Sequence, residues 1–174
     1  MQISILLSFH NYEQIQRLLY APKIYGQIPA GYSDNFLFQK GKYALVNENL
    51  KEAEECLSKI KIKTKRQKDL VLRYLIPCRM LLGLVFRPKN EEEKRLYGEY
   101  LAVSNAISQC DFALYEQLGL KYQKIWLKRG IYLLMDRMRV LLWRNLLIRV
   151  TEALKDNKVE FDLIQRAVAW CGGS

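Results

Sequence analysis

Apolar residues recur every three or four positions along nearly the whole chain, and this period constrains the fold more than any other feature. A helix gathers such positions on one face, whereas a half-buried strand needs strict alternation. Ile3, Leu6 and Leu7 begin one pattern, and Ile15, Leu18 and Leu19 continue or restart it. Pro22, Gly26, Pro29 and Gly31 then mark a loop. Ser33 and Asp34 are candidate caps of a helix reaching about Val46, and a second helix follows from Leu50 to about Ile60, with Asn47 and Asn49 in the turn. Only Lys61-Ile62-Lys63 alternates, and it is too short to read as a strand. The expected fold class is all-α.

The first two helices should form a hairpin. Gly41 and Ala53 have the spacing of the small residues in a tetratricopeptide unit, and Leu57 supplies the large apolar residue four positions later. A small residue on each helix lets the backbones approach. An ordinary antiparallel helix pair accounts for the same pattern.

The stretch LVLRYLIPCRMLLGLVF, positions 70 to 86, carries two adjacent apolar stripes. Val71, Leu75, Cys78, Leu82 and Val85 form one; Leu72, Ile76, Met80 and Gly83 form the other. So wide an apolar arc belongs to a helix buried between neighbours, as in a helical solenoid. Arg73 and Arg79 interrupt it well short of a bilayer span, so no membrane association is expected. Pro77 removes one helical hydrogen bond and should bend the helix without ending it; Phe86, Arg87 and Pro88 are its expected end. Asn90 then caps a helix with three glutamates in its first turn, running to about Gln109. Asp111 caps a short helix that Gly119 is expected to terminate.

Charge is concentrated in two places. Lys59, Lys61, Lys63, Lys65, Arg66 and Lys68 follow one another with no acid before Asp69, which reads either as a solvated helix end and turn or as a phosphate-tracking patch. Between positions 121 and 149, Lys121, Lys124, Lys128, Arg129, Arg137, Arg139, Arg144 and Arg149 face a single acid, Asp136. The whole chain carries a formal charge of +10, which favours an acidic or polyanionic partner. Ile131, Leu134, Met135, Met138, Leu141 and Leu142 form the apolar face here, with Asn145 and Arg149 falling in line with it. A bare arginine in that face would be costly, so a helix break is expected near Trp143 to Asn145, with Asn145 a structural junction residue. Trp126 and Trp143 lie on apolar faces and read as core before they read as stacking platforms. A last amphipathic helix presents Phe161, Ile164, Val168 and Trp170.

The reactive inventory is thin. One histidine, four scattered cysteines without a C-x-x-C pair, and no glycine-rich phosphate loop argue against a zinc site, a nucleophile–base constellation and enzymatic activity. Cys56 and Cys78 read as buried, reduced thiols. No cofactor is expected. The opening MQISILLSFHNY has neither a basic start nor a cleavage site, which argues against a secretory signal.

The blocks GKYALVNENLKEAEECL, YLIPCRMLLG and RGIYLLMDRMRVLLWRNLLIRV resemble the PCI-domain subunits of TREX-2-type mRNA-export complexes and their signalosome-like cousins. The resemblance runs from about Asn11 to Trp170. It implies a solenoid of tetratricopeptide-like hairpins over residues 1–141 leading into a winged helix that begins over 142–174. It also implies a non-enzymatic subunit that binds a large GANP-like scaffold and a small acidic DSS-type peptide shared with the proteasome lid, and contributes to RNA or DNA binding at the nuclear pore. The expected compartment is the nucleus, with the cytoplasm second. An equivalent subunit of a signalosome-like or proteasome-lid-like assembly is the alternative. Against the family pattern, the sequence begins about one helix before the hairpin and shows no recognition helix or wing strands after LIQRAVAW. A shortened member with weak nucleic-acid affinity of its own is therefore expected.

Overall fold

The computed structural model describes Arg17, residues 33–155 and residues 158–172. The patterns at Ile3, Leu6, Leu7, Ile15, Leu18 and Leu19, and the loop from Pro22 to Gly31, lie outside the described residues. All regular structure among the described residues is helical. The chain divides into two compact units, Met1–Cys78 and Arg79–Ser174.

The first unit holds α1 (Ser33–Val46), α2 (Leu50–Ser58) and most of α3 (Lys65–Leu81). Helices α1 and α2 pack side by side as the expected hairpin. A Cβ placed on Gly41 would lie 2.8 Å from Leu57 Cγ and 3.5 Å from the Ala53 carbonyl oxygen, so glycine is what permits this approach. The feature is common to tetratricopeptide units and plain helix pairs. Glu48 turns the chain at φ 64°, and the Asn49 side chain caps α2 by accepting from Glu52 N–H and donating to the Glu52 carboxylate at 2.8 Å. Asp34 accepts from the Lys61 N–H at 3.2 Å, tying the far end of the hairpin. Thr64 caps α3 by accepting from Gln67 N–H at 3.1 Å, and the Gln67 side chain accepts from Lys63 N–H.

Helix α3 continues through Pro77, which is buried beside Leu75, Ile76, Cys78 and Met80. Burial of that stretch offsets a helical proline's cost of about 3 kcal/mol. The expected end at Phe86 is corrected: α3 stops at Leu81. Gly83 adopts φ 90°, its N–H donates to Met80 O, and the Leu84 N–H donates to Arg79 O. These two bonds make a Schellman stop, leaving Leu82, Leu84 and Val85 exposed.

The second unit contains α4 (Glu91–Leu96), α5 (Gly98–Gln109), α6 (Phe112–Arg129), α7 (Tyr132–Arg137), α8 (Arg139–Leu154) and α9 (Phe161–Trp170). Asn90 caps α4 as expected, accepting from Glu93 N–H at 2.8 Å, but the chain breaks at Tyr97 into two helices. Helix α5 packs on α6 and α8, and α9 packs on α8. Asp111 caps α6, accepting from Leu114 N–H. Gly119 does not terminate it. A helical interior glycine costs about 1 kcal/mol, which the helix formers around it absorb. The stop is Gly130, at φ 68°, with its N–H on Leu127 O and the Ile131 N–H on Trp126 O.

Ile131, Leu134, Met135, Met138 and Leu142 are buried as expected. The break expected at Trp143 to Asn145 lies instead at Met138, between α7 and α8. Asn145 is therefore mid-helix and not a junction residue. Of the apolar positions on α9, Val168 is buried, whereas Phe161 and Trp170 are 69% and 92% exposed.

Candidate anionic-partner interface

Helix α6 projects three lysines at spacings of three and four residues. Lys121, Lys124 and Lys128 therefore share one face, and all are exposed. Leu120 and Leu127 lie exposed among them. Lys121 Nζ sits 5.2 Å from the Tyr122 ring centroid. No acid interrupts the run from Gln117 to Met135. The face offers cations for an anion and short apolar contacts between them.

The other five cations divide. Arg137, Arg139 and Arg144 are exposed near the α7–α8 joint and along α8. Arg139 lies 3.6 Å from the Glu116 carboxylate, a surface pair of little energetic weight. Arg144 is at the edge of an open cleft that Met80, Leu84, Ile107 and Leu141 also line.

Arg129 and Arg149 turn to structural tasks. Arg129 pairs with the buried carboxylate of Glu99 and reaches the Tyr100 hydroxyl at 3.4 Å. Burial is the largest single influence and works to lower the Arg129 pKa, but the charge and hydrogen-bond interactions with Glu99 and Tyr100 together outweigh it and the net direction is upward. Arg149 donates to the carbonyls of Ser108 and Gln109, and Asn145 Nδ2 donates to the Ile107 carbonyl at 3.0 Å. Both serve the C-terminal end of α5, where unpaired carbonyls concentrate negative charge. Asn145 thus serves the end of a neighbouring helix rather than a break in its own.

The second basic patch belongs to the first unit. Lys59 pairs with Glu55 at 2.5 Å, which lowers the Glu55 pKa and raises that of Lys59. Lys61, Lys63, Lys65 and Arg66 are exposed with Ile62 between them, and Lys68 is half-buried. The patch forms the α2–α3 connection and the first turn of α3, as its composition suggested.

Periodicity missed two buried polar anchors. Glu99 sits in an apolar face and is legible only through its partner Arg129. Tyr115 donates its hydroxyl to the Met135 carbonyl, and burial drives its pKa upward, helped by the Asp136 charge. Cys56, Cys78 and Cys110 are reduced and buried, while Cys171 is reduced and half-buried. Among the described residues no cluster of histidine, cysteine and carboxylate side chains could hold a metal, and no helix is long and apolar enough to cross a membrane.

No family model matches the sequence. Curated relatives do. The chain is 27% identical over 129 residues to PCI domain-containing protein 2 of Danio rerio, covering 71% of this chain and 32% of that protein. It is 26% identical over 132 residues to PCI domain-containing protein 2 of Xenopus laevis, covering 73% and 33%. It is 31% identical over 121 residues to a Protein CSN12 homolog of Gibberella zeae, covering 68% and 26%. The chain spans about a third of the length of the first two relatives. Together with the all-helical fold, these matches put it among the PCI-domain proteins. Within that class the chain is of the PCI domain-containing protein 2 type.

Proposed function

We propose that this chain is a non-enzymatic subunit of a TREX-2-like mRNA-export assembly, acting in the nucleus at the pore. It joins a large scaffold protein, a small acidic peptide and nucleic acid, and its tetratricopeptide-like hairpins lead into a winged helix. The observation that carries the partner reading is the face of Lys121, Lys124 and Lys128, exposed on α6. Arg137, Arg139 and Arg144 extend the positive surface. Lys61, Lys63, Lys65 and Arg66 offer a second, separate contact for phosphates. Binding through such side chains releases counterions and weakens with salt.

The test is the triple reversal Lys121→Glu, Lys124→Glu, Lys128→Glu in the full chain, with Arg137→Glu, Arg139→Glu as a second variant. Helicity should be retained. Single-stranded RNA binding and acidic-peptide binding should both fall, and the logarithmic salt slope for RNA should shrink by roughly 0.7 per lost phosphate contact. Unchanged binding by both folded variants would sink the proposed surface.

A second reading, a PCI subunit of a signalosome-like or proteasome-lid-like assembly, draws on the relatives named Protein CSN12 homolog. Co-purification from cells separates the two. Export-scaffold subunits favour the first, and signalosome or lid subunits the second.

A further inference from the structure

We propose that Cys110 and Cys171 are a redox-sensitive pair whose disulfide latches the end of α9 onto the corner between α5 and α6. The two residues follow the ends of α5 and α9, and the chain just beyond each of them comes together. Cys110 is the left-handed residue that closes α5, at φ 61°, and Cys171 follows the last residue of α9. The Phe112 N–H, two residues beyond Cys110, donates to the Cys171 carbonyl at 2.9 Å. One residue further, a Cβ on Gly172 would lie 2.8 Å from Ala113 Cβ and 3.4 Å from Ala113 N. Gly172 also needs φ 74°, so a glycine is required twice over for the chain to lie this close. The segment 171–172 is therefore held against 112–113, two residues from Cys110, in the reduced protein. Burial raises the Cys110 pKa, Arg149 opposes that, and Cys171 adds to it, so the two sulfurs share an electrostatic environment.

The other two thiols are otherwise engaged. Cys56 is buried in the α1–α2 hairpin, and Cys78 donates to the Leu50 carbonyl at 3.3 Å. Cys171 is the one partly open to solvent. It is the sulfur a hydroperoxide reaches first.

The chemistry balances with hydrogen peroxide as the oxidant. Cys171 sulfur attacks one peroxide oxygen; the S–O bond forms, the O–O bond breaks, and the departing hydroxide takes the thiol proton and leaves as water. Cys110 sulfur then attacks the sulfenic sulfur; the S–S bond forms, the S–O bond breaks, and a second water carries off the Cys110 proton. Two thiols lose two electrons and one peroxide gains them. A thiol reductant reverses the bond by exchange. Without the bond, α9 is held by its packing on α8, its single buried side chain Val168 and the Phe112–Cys171 hydrogen bond. The bond would make its opening far rarer.

The full chain, folded and reduced, is treated with one equivalent of hydrogen peroxide, and its intact mass, peptide map and hydrogen exchange are recorded. The expected result is loss of two hydrogen masses, a cross-linked peptide joining Cys110 to Cys171, and reversal by phosphine. Amide exchange in α9 should slow by roughly tenfold. Cys171→Ser should stay at its starting mass, and Cys56→Ser should still form the bond. Because Cys110 is buried, Cys110→Ala accompanies Cys110→Ser, and neither should cross-link. Oxygen addition at Cys171 alone, a cross-link between other cysteines, or a dimer linked through Cys171 would overturn the pairing. A correct bond with unchanged α9 exchange would overturn the latch.

Discussion

Replacing Arg149 tests whether a cation in the basic segment serves the fold or a partner. The last four carbonyls of α5 belong to Ala106, Ile107, Ser108 and Gln109. The Asp111 N–H serves Ala106 at 3.0 Å, and the Cys110 N–H and Asn145 Nδ2 serve Ile107 at 3.3 and 3.0 Å. Ser108 and Gln109 depend on Arg149. Hydrogen bonds from a charged donor contribute about 1.5–3 kcal/mol net, and a cation at a helix C-terminus adds roughly 0.3–1 kcal/mol. Ser108 is half-buried and Gln109 exposed, so water recovers part of the loss. Arg149→Ala should therefore destabilise the protein by about 1–2 kcal/mol. Arg149→Lys should recover part of that, since an ammonium keeps the charge but cannot fork across two carbonyls. Asn145→Ala should cost about 1 kcal/mol, because Ile107 keeps its backbone donor. The two changes should be non-additive, since both open the same helix end. Urea denaturation measures all three, and RNA binding is measured alongside. If Arg149→Ala leaves stability within about 0.3 kcal/mol but weakens RNA binding, the capping argument fails and Arg149 belongs to the partner surface.

Two further outcomes follow from buried contacts. Gly41→Ala should cost about 1–3 kcal/mol by driving a methyl into Leu57, and Leu57→Ala should relieve part of it in a double-mutant cycle read by denaturation. Tyr115→Phe should cost about 1 kcal/mol by removing the hydroxyl's bond to the Met135 carbonyl, which keeps only the Met138 N–H at 3.2 Å. Its pH dependence has a definite sign. The folded-state pKa of Tyr115 is raised, so its stabilisation is complete below the ordinary tyrosine pKa of about 10 and is lost as pH rises above it. Thermal denaturation between neutral and strongly alkaline pH should show a smaller gap between wild type and Tyr115→Phe as pH rises. A constant gap would refute the assignment.

Helix starts were legible because their signals are local. Asn90 and Asp111 cap in the structure where the sequence put them, each serving an N–H three residues ahead. Helix ends were less so, because a glycine has two readings. Gly83 and Gly130 go left-handed and stop their helices, while Gly119 stays inside one. The difference lies in whether the following N–H can reach back to a carbonyl five residues earlier while the chain turns toward a new packing partner. That is a tertiary condition. Gly41 was legible for the opposite reason: its partners Ala53 and Leu57 lie within a hairpin so short that spacing nearly fixes the geometry.

The eight cations of the basic segment show where sequence reading of a site runs out. Charge counting listed Lys121, Lys124 and Lys128 with the other five, and only the continuation of α6 past Gly119 puts the three on one helical face. Such counting could not tell that Arg129 turns to Glu99, thirty residues away, or that Arg149 crosses to Ser108 and Gln109, forty residues away. The same misjudgement misplaced the helix break. An arginine aligned with an apolar face seemed to demand one, yet the face ends at the carbonyl-rich terminus of α5, where a guanidinium is stabilising rather than costly. The apparent conflict between charge and periodicity was itself the signal. A polar residue that breaks an apolar stripe near a helix junction points to unpaired backbone groups on the neighbouring element. Applied to Asn145 and Arg149 together, four residues apart on one helix, that rule identifies the end of α5 as their common target. Two of the eight charges are thereby assigned to the fold. The lysine face of α6, with Arg137, Arg139 and Arg144, is left as the surface on which a partner's charge should be sought.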